Sequence, residues 1–438
     1  MPKINKKNFL KLLPEEYRKP YEDEWIHNYS VEVEEITKNY KFSPQIVFSD
    51  CTCRDGEQQA GVVFTPEQKV EIVQLLTEVG IQLCEIGFPG VSKEEEDACK
   101  LIINNSNANC YVFSRAIKKD IDAAIRTNAR VINIFTSCSE FHIRTKMGLT
   151  PESNLEQCLR MTEYATDHGM NIIFGMEDVS RASINYYVEF IESVKEVAGK
   201  YWGATSISDT VGAFNPLTSK WLYRNIKNRL NFDVGLHFHN DNGLALANTL
   251  ACLEEGAVAC SGTILGLGER CGNTALEEVF VSLRTIYGLK LRIQYNKLIE
   301  LCDMVSKYAG IPIPPNKPVC GMNAFKHESG IHTHGVIEHP HIYEFIPHEL
   351  LGRKSEFVYG KFSGTRAVLE EVLKPYGIVP NKDQLKEIVT KIKEIQTKQE
   401  TERKKERVQF VNDFYQTISQ MALSSEEVLK IAKSVINK

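Results

Sequence analysis

The sequence lacks the features that place a protein in a membrane or on nucleic acid. No apolar run is long enough to span a bilayer, and the N-terminus shows no cleavage pattern of a signal peptide. A formal net charge of −5 over 438 residues gives no excess of basic side chains to attract polyanions. We therefore expect a cytoplasmic protein with neither a nucleic-acid nor a membrane partner.

The chain also lacks cysteines that are spaced as in a C-x-x-C metal or redox motif, although Cys51 and Cys53 stand two residues apart. Its 12 cysteines are scattered, none forms a C-x-x-C motif, and several lie in apolar runs such as LCEIGF. This pattern is typical of free, buried thiols in a reducing compartment. It offers no closed set of thiolates for a structural zinc ion.

What the sequence does contain is an alternation of β-type and helical segments from residue 45 to about 285. The β-type runs are apolar nearly throughout, as in parallel strands that are covered on both faces. These runs span residues 45–52, 83–88, 110–114, 130–137, 171–178, 203–210, 233–240 and 257–266. Eight strands, each followed by a helix, predict a (β/α)8 TIM barrel, since a doubly wound open sheet rarely needs eight repeats.

Capping residues support the predicted helices, and the composition of the chain outside the barrel predicts further segments. Thr65, Pro66 and Gly80 are placed to cap, begin and end one barrel helix. The predicted segments are an N-terminal helical extension (1–44), the barrel (45–311), a proline-rich linker with a His-rich lid as C-terminal subdomain I (312–376), and a helical subdomain II (377–438). The smaller C-terminal region is thus expected to be mainly helical.

Polar residues lie at the C-terminal end of every predicted strand, which is the face where TIM barrels carry their active sites. These residues are Asp50, Thr52, Glu85, Ser114, Arg115, Thr136, Ser137, Glu177, Asp178, Asp209, Thr210, His237 and His239, followed by the loop 266–268. Eight strand ends with polar groups exceed what random surface polarity would give, so we expect a functional site there.

Two histidines on the seventh predicted strand are candidate metal ligands. His237 and His239 stand two residues apart and therefore face the same side of the strand. A buried histidine pair without a metal is about equally common. Asp55 and Asn273 add a carboxylate and an amide, because the first and last strands of a barrel are neighbours. This mixed N/O set suits Mn²⁺, Mg²⁺, Co²⁺ or Zn²⁺ with open positions.

Arg54 directly precedes the candidate ligand Asp55. A guanidinium at this place can stabilise the charge that grows on the keto oxygen of a 2-oxo acid during attack. The alternative is an ion pair with Glu57, Glu85 or Glu177. The two roles are compatible, so the sequence leaves both open.

Two further segments carry candidate residues. The loop 266–273, GLGERCGN, contains glycines that permit close backbone approach, but its spacing is not that of a dinucleotide fingerprint. The segment 327–336, HESGIHTHGV, is interpreted as a loop whose histidines either transfer protons or are ordinary polar residues. It lies beyond the barrel, so it must cover a barrel mouth, its own or a partner's, to take part in chemistry.

Together these motifs resemble the acyl-CoA-dependent branch of the DRE-TIM metallolyase superfamily. That branch contains isopropylmalate, homocitrate and citramalate synthases and the Re-face citrate synthase. Five matching motifs follow the family's order within residues 45–375, at positions 50–58, 209–212, 237–239, 266–273 and 329–332.

The resemblance implies a role for each candidate residue. The implied metal ligands, with Mn²⁺ favoured, are Asp55, His237, His239 and, as a fourth ligand or neighbour, Asn273. The implied catalytic residues are Arg54, Glu177, His332 and Tyr343, the last two supplied by the partner subunit of a homodimer. The substrate-binding candidates are Gln58, Glu85, Arg115, His142, Arg144, Thr210, Gly266 and Gly268.

The implied reaction is an acyltransferase-type Claisen condensation. Acetyl-CoA loses a methyl proton to a base, for which His332 is the candidate, its carbon attacks the keto carbon of a 2-oxo acid, and the thioester is hydrolysed. The opening DCTCRDGEQQAG most resembles Re-face citrate synthases, so oxaloacetate is the expected acceptor, with His142 and Arg144 as candidates for its second carboxylate.

Other members of the superfamily are the alternatives. Phe88 stands where homocitrate synthases often have histidine, which argues against 2-oxoglutarate. The short chain beyond residue 380 argues against the regulatory domain of isopropylmalate and citramalate synthases. An acyl-CoA lyase or aldolase would share Asp55 and the histidine pair, and a non-catalytic metal-binding barrel would be expected to show broken motifs.

Overall fold

The computed structural model describes residues 28–420 and 422–436 of the chain. These residues form two compact units that divide between Pro312 and Ile313. Most of the helical extension predicted for residues 1–44 lies outside the described residues. From residue 28 onward it contains two single-turn helices, α1 (Tyr29–Glu32) and α2 (Glu34–Thr37).

Eight parallel strands close the first unit into a barrel, which confirms the predicted (β/α)8 fold. The strands are β1 (Val47–Asp50), β2 (Leu83–Glu85), β3 (Asn109–Arg115), β4 (Val131–Ser137), β5 (Asn171–Glu177), β6 (Trp202–Asp209), β7 (Val234–Phe238) and β8 (Ala259–Gly262). The last strand pairs with the first, with Phe48 opposite Cys260 and Asp50 opposite Gly262. Every predicted β-type run overlaps one of these strands, and β3 and β6 begin one residue before their predicted runs.

Helices surround the barrel and connect its strands. They are α3 (Pro66–Val79), α4 (Lys93–Asn105), α5 (Lys118–Arg126), α6 (Glu140–Met147), α7 (Pro151–Asp167), α8 (Ile184–Ala198), α9 (Pro216–Arg229), α10 (Ala245–Glu254), α11 (Leu276–Thr285) and α12 (Leu298–Ala309). In α3, Thr65 and Gln68 form a capping box, Pro66 takes the first position and Gly80 ends the helix in a left-handed conformation. The sequence signals for this helix are confirmed.

The apolar core lies between the barrel wall and the helices, where Phe48 meets Phe280 edge to face with ring centroids 4.8 Å apart. The inner face of the barrel differs from this core, because much of it carries small side chains. These are Ser49, Gly175, Ala204, Ser206, Gly235, Ala259 and Ser261. TIM barrels commonly fill this space with Val, Ile and Leu. Here a cavity of about 910 Å³ extends inward from the mouth.

The second unit combines a two-stranded parallel sheet with helices. Its elements are β9 (Lys326–His327), α13 (Gly330–Glu338), β10 (Glu356–Phe357), α14 (Thr365–Ala367), α15 (Lys382–Ser419) and α16 (Ser425–Ile436). Within the described part of the chain, no helix combines the length and apolarity needed to cross a membrane.

The interpretation of 327–336 as a loop is wrong from Gly330 onward, where the chain is helical. Burial of Thr333 and Val336 on one face of α13 outweighs the low helix propensity of the two glycines in the segment. The helix ends before Pro340, which favours the extended backbone that His339 adopts.

Candidate active site

The cavity of about 910 Å³ opens where the barrel strands end. It brings together eight residues proposed from the sequence: Arg54, Asp55, Gln58, Glu85, Glu177, Thr210, His237 and His239. They come from β1, β2, β5, β6 and β7 or from the turns that follow these strands. Parallel strands in a closed barrel end at the same face, so residues far apart in sequence converge at this mouth.

The two histidines of β7 face the carboxylate of Asp55. The Nε2 atoms of His237 and His239 lie 3.5 Å and 3.9 Å from Asp55 Oδ2. The two rings are nearly perpendicular, with centroids 5.1 Å apart. The Nδ1 atom of His237 lies 3.4 Å from Ser261 Oγ, a contact that orients the ring with Nε2 towards the carboxylate.

Asn273 completes this group from the loop after β8. Its Nδ2 donates to Asp55 Oδ2 at 2.7 Å and to the carbonyl of Leu267 at 2.9 Å. Its Oδ1 is buried and finds no hydrogen-bond partner among the described residues, and the same holds for Nδ1 of His239. An orphaned amide oxygen beside a carboxylate and two imidazoles is the donor set that a divalent cation would satisfy.

The glycines of the loop 266–273 make room for Asn273. A Cβ atom at Gly268, whose φ is 148°, would lie 2.2 Å from Asn273 Nδ2. Gly266 accepts the backbone N–H of Asn273 at 3.0 Å. The structure thus brings Gly266 and Gly268 against Asn273 and not into the cavity lining.

Charges around Asp55 keep this carboxylate ionised. Burial opposes its charge, yet the guanidinium of Arg54 and the two imidazoles hold the pKa of Asp55 well below its usual range. Burial, and next to it the neighbouring His237, lower the pKa of His239 to about 4. At neutral pH this site therefore offers one carboxylate and a neutral His239, the protonation states that metal ligation requires.

Arg54 is locked in place by carboxylates. Its Nε and Nη2 atoms donate to Glu85 Oε2 at 2.6 Å and 2.5 Å, and its Nη1 lies 3.0 Å from Asp55 Oδ1. Its guanidinium lies over the ring of Phe113, 4.1 Å from the centroid. Glu85 in turn accepts from Asn133 at 2.8 Å. The ion-pair alternative is confirmed, with Glu85 as the main partner.

Cys51 is a neighbour of this group that the sequence argument missed. Its Sγ, one oxygen of Asp55 and one nitrogen of His237 all lie within 4.8 Å of one another. Burial raises the pKa of the Cys51 thiol well above its usual value, and Sγ donates to the carbonyl of Gly262 at 3.2 Å. A protonated thiol is a poor ligand, so the carboxylate, amide and imidazoles remain the metal-binding set.

Glu177 ends β5 and Thr210 directly follows β6, and both line the cavity. Glu177 Oε2 accepts from Ser137 at 3.1 Å and from Lys146 at 2.6 Å. The Thr210 hydroxyl accepts the backbone N–H of Asp178 at 2.8 Å, and its carbonyl accepts from Arg270 at 2.6 Å. Arg270 also lines the cavity, and the sequence argument did not single it out.

Besides Gly266 and Gly268, three further proposed substrate-binding residues are not brought into the cavity lining. Arg115 pairs with Asp120 at 2.7 Å and is half exposed. Arg144 points along α6 to Glu140, also at 2.7 Å, and is 58% exposed. His142 lies near Asp178, 3.6 Å from Oδ2. Their positions leave Arg270 and Arg54 as cations of the lining.

Lys69 on α3 is a second residue that the sequence argument missed. It is 1% exposed, and its Nζ lies 2.6 Å from Glu57 and 2.8 Å from Glu95. Glu57 accepts the backbone N–H of Phe64, and Glu95 accepts that of Phe88. Lys69 therefore ties the loops after β1 and β2 together. The signal was available, because Lys69 lies on the apolar face of an amphipathic helix.

In the second unit, His332 and Tyr343 form one pair. Their rings stack with centroids 4.0 Å apart and an interplanar angle of 22°. Both side chains are exposed. The pair places an imidazole and a phenol, two kinds of group that can transfer protons, in stacking contact.

Comparison with known proteins covers both units. Residues 45–305 match the HMGL-like family model, and residues 319–400 match the homocitrate synthase post-HMGL domain-like model. The 2-isopropylmalate synthase of Methanocaldococcus jannaschii is 40% identical over 82% of this chain and 70% of its own length. The homocitrate synthase AksA of Methanothermobacter thermautotrophicus is 40% identical over 86% of this chain and 94% of its own.

Two further comparisons agree with these. The (R)-citramalate synthase CimA of Methanocaldococcus jannaschii is 38% identical over 79% of this chain and 70% of its own length. The crystal structure of the HMG-CoA lyase of Bacillus subtilis superposes with a TM-score of 0.56 at 21% identity, over 62% of this chain and 96% of that one. This structural similarity independently supports the barrel fold.

Proposed function

Because this chain belongs to the HMGL-like family, in the acyl-CoA-dependent branch of the DRE-TIM metallolyases, we propose that it condenses acetyl-CoA with a 2-oxo acid. The observation that carries the proposal is the convergence of Arg54 with Asp55 and the histidine pair at one barrel mouth. The relatives named above, synthases of 2-isopropylmalate, homocitrate and (R)-citramalate, support it.

Asp55, His237, His239 and Asn273 are the residues that would hold the divalent ion. The buried Oδ1 of Asn273, which has no hydrogen-bond partner in the described part of the chain, supports their fit to such an ion. When bound, the ion supplies a Lewis acid for the keto and carboxylate oxygens of the acceptor. Mn²⁺ is our first choice, because the set is nitrogen- and oxygen-based and leaves open positions.

Arg54 stabilises the charge that develops on the keto oxygen. A guanidinium has five N–H donors, and three of them are directed at Glu85 and Asp55. Two remain for a substrate oxygen. Because the two carboxylates already fix the guanidinium, little reorganisation is needed when charge appears in the transition state.

His332 and Tyr343 carry the proton chemistry in this proposal. A base, His332, removes a proton from the methyl group of acetyl-CoA, and the new carbanion forms a carbon–carbon bond with the keto carbon. The keto oxygen gains a proton and becomes a hydroxyl. Water then cleaves the thioester and releases free CoA. Glu177 orients the acetyl group, and Thr210 binds the acceptor carboxylate.

We propose a homodimer in which His332 and Tyr343 act on the barrel of the partner subunit. Both side chains are exposed, so they are accessible to a second subunit. This supports the proposal, because a residue that transfers protons must reach the substrate.

Oxaloacetate is the proposed acceptor, which makes citrate the product. Two features support it: the opening motif DCTCRDGEQQAG, and the second arginine in the cavity lining, Arg270, beside Thr210. A dicarboxylate needs a cation or hydroxyl for its second carboxylate, and Arg270 provides the cation. In this arrangement Arg270 replaces His142 and Arg144, which lie outside the lining.

A second acceptor class, a 2-oxo acid with an apolar side chain, is favoured by one specific observation. Phe88, Phe113 and Phe135 line the cavity as an aromatic cluster, and Phe113 stacks on Phe135 with centroids 4.2 Å apart. Such a wall suits the methyl group of pyruvate or the isopropyl group of 2-oxoisovalerate.

The deciding experiment measures CoA release from acetyl-CoA with Mn²⁺ and four acids in parallel. These are oxaloacetate, 2-oxoglutarate, pyruvate and 2-oxoisovalerate. We expect the highest kcat/KM with oxaloacetate. A preference for pyruvate or 2-oxoisovalerate would favour the apolar acceptor, and a preference for 2-oxoglutarate would overturn both substrate proposals. No release with any acid, at a metal content matching one ion per chain, would overturn the synthase proposal.

A further inference from the structure

The second unit contains a buried charged network centred on Glu344. This carboxylate is 4% exposed and accepts from His327 Nε2 at 2.9 Å, from His348 Nδ1 at 2.7 Å and from the hydroxyl of Ser355. A buried carboxylate with three side-chain donors is fully satisfied and therefore rigid. Glu344 directly follows Tyr343 in the chain.

The donors come from three separate segments of this unit. His327 lies on β9, His348 begins the turn 348–351, and Ser355 directly precedes β10. In addition, Nδ1 of His341 lies 2.8 Å from the carbonyl of Glu344. The backbone around Tyr343 is therefore fixed from several sides by contacts that do not involve its own ring.

The ring of Tyr343 packs on a face of α13 that a glycine keeps open. His332 and Gly335 are three residues apart and share one helix face. A Cβ atom at Gly335 would lie 2.7 Å from Cε2 of Tyr343 and 2.9 Å from Cγ2 of Ile342. Any larger residue at 335 would thus push the phenol away from the imidazole of His332.

We infer that Glu344, with its partners His327, His348 and Ser355, and Gly335 are positioning residues that hold the His332–Tyr343 pair stacked. The inference deepens the proposed function and rests on it only in calling this pair the proton-transfer pair. Misplacing a reacting group by about 1 Å can lower a rate ~100-fold. Loss of the contacts that hold this pair in position would therefore lower kcat.

The charge states of the network support this arrangement. Burial opposes charge on Glu344, yet hydrogen bonds from His327, His348 and Ser355 lower the pKa of Glu344 to about 2. Burial also opposes charge on His348, but Glu344 and Glu349 raise the pKa of His348 to about 9. Between these values the network contains a charged Glu344–His348 pair.

The first test reads the stacking directly by NMR of the full-length protein with ¹³C-labelled histidine. The His332 ring signal is assigned by its loss in His332→Ala. The variant Tyr343→Ala gives the chemical shift of the His332 ring in the absence of the stacked phenol. We expect Glu344→Gln and Gly335→Ala to move the His332 signal most of the way to that position. Glu394→Gln, an exposed carboxylate on α15, is the matched control and should leave it in place.

The second test measures kcat and KM of the same variants with the preferred acid. We expect kcat to fall about 100-fold in Glu344→Gln, with KM for the acid within about 2-fold, because the barrel residues are untouched. His348→Gln serves as a milder variant if Glu344→Gln fails to fold.

Unchanged His332 signals in folded Glu344→Gln, His348→Gln and Gly335→Ala would overturn the positioning role. A wild-type protein without turnover would instead refute the proposed function, while the NMR result would still decide the positioning question.

Discussion

The side-chain amide of Asn273 donates to the carboxylate of Asp55 at 2.7 Å, although 218 residues separate the two along the chain. This bond uses the N–H side of the amide and so turns Oδ1 away, into a buried position where it has no partner among the described residues. The orientation of Asn273 is therefore set by Asp55. This buried oxygen is the atom through which Asn273 would join Asp55 and the histidine pair as a metal ligand.

Removing Asp55 is expected to abolish metal binding while the barrel stays folded. In Asp55→Ala the affinity for Mn²⁺ should drop more than ~100-fold. Mutation of residues that only hydrogen-bond to metal ligands already lowers metal affinity by up to ~100-fold, and Asp55 is a proposed ligand itself. Arg54 keeps its pair with Glu85, so far-UV CD should not change. Asp97→Ala, a 58%-exposed carboxylate on α4, is the control. Equal metal content by mass spectrometry in both variants would refute the ligand assignment.

Gly268→Ala is expected to damage the site through Asn273. The added Cβ would lie 2.2 Å from Asn273 Nδ2, so the amide must leave Asp55. We expect metal affinity to fall at least ~10-fold. The control is Gly169→Ala, which also places alanine at a positive φ, 78° against 148° at Gly268, but has no described atom within 4 Å of the new Cβ. Similar metal affinities of the two variants, measured by titration, would contradict the clash mechanism.

Arg54→Lys is expected to lower kcat about 100-fold, because an ammonium group cannot make the forked contacts of the guanidinium with Glu85 and Asp55. The measurement is CoA release at saturating acid. As a comparison, Arg126→Lys changes a forked pair with Glu96 on the outer helices and should keep near-full activity. Full activity of Arg54→Lys would exclude a role at the keto oxygen.

Lys69→Met tests the buried ion bridge between Glu57 and Glu95. Burial opposes the ammonium charge, but the two carboxylates raise the pKa of Lys69 above its usual value. Removing the cation leaves two carboxylates without their partner, which costs roughly 3–5 kcal/mol in the free energy of unfolding. In contrast, Lys93→Met removes a 64%-exposed lysine and should cost under about 1 kcal/mol. Urea unfolding compares them, and equal losses would show that the bridge contributes no more than a surface pair.

The His348 imidazole predicts a pH dependence of stability. Because its pKa rises from 6.5 to about 9 on folding, the folded protein binds this proton more tightly than the unfolded chain does. The stabilisation is complete below pH 6.5 and is lost as the pH rises through 9. We expect His348→Gln to lose less thermal stability than wild type between pH 6.5 and 9. Parallel pH curves of the two proteins would contradict this prediction.

The sequence predicted the barrel and the centre of the candidate site for clear physical reasons. A buried parallel strand is apolar almost throughout, so its position is visible without knowledge of the fold. The spacing of His237 and His239 places them on one side of a strand, and the neighbouring positions of β1 and β8 follow from closure. The sequence alone therefore predicts that Asp55 and Asn273 lie close to the two histidines.

The remaining details depend on geometry that the sequence does not encode locally. Arg144 follows β4 as expected, but it lies on a helix whose turn directs it to Glu140. The sequence predicts that Gly266 and Gly268 bind substrate, whereas in the structure both contact Asn273. The helix at Gly330–Glu338 was missed because two glycines lower its propensity and only tertiary packing stabilises it.

The pairing of β8 with β1, which closes the barrel, has a consequence for folding during synthesis. The ribosome completes Asp55 more than 200 residues before Asn273, so a growing chain cannot assemble the four proposed ligands until its last strand has docked. Ion capture would thus be a late step that reports barrel closure. An ion that binds only the closed barrel adds its binding free energy to the stability of that form. The concentration of the metal would therefore influence how stable the pairing of β8 with β1 is.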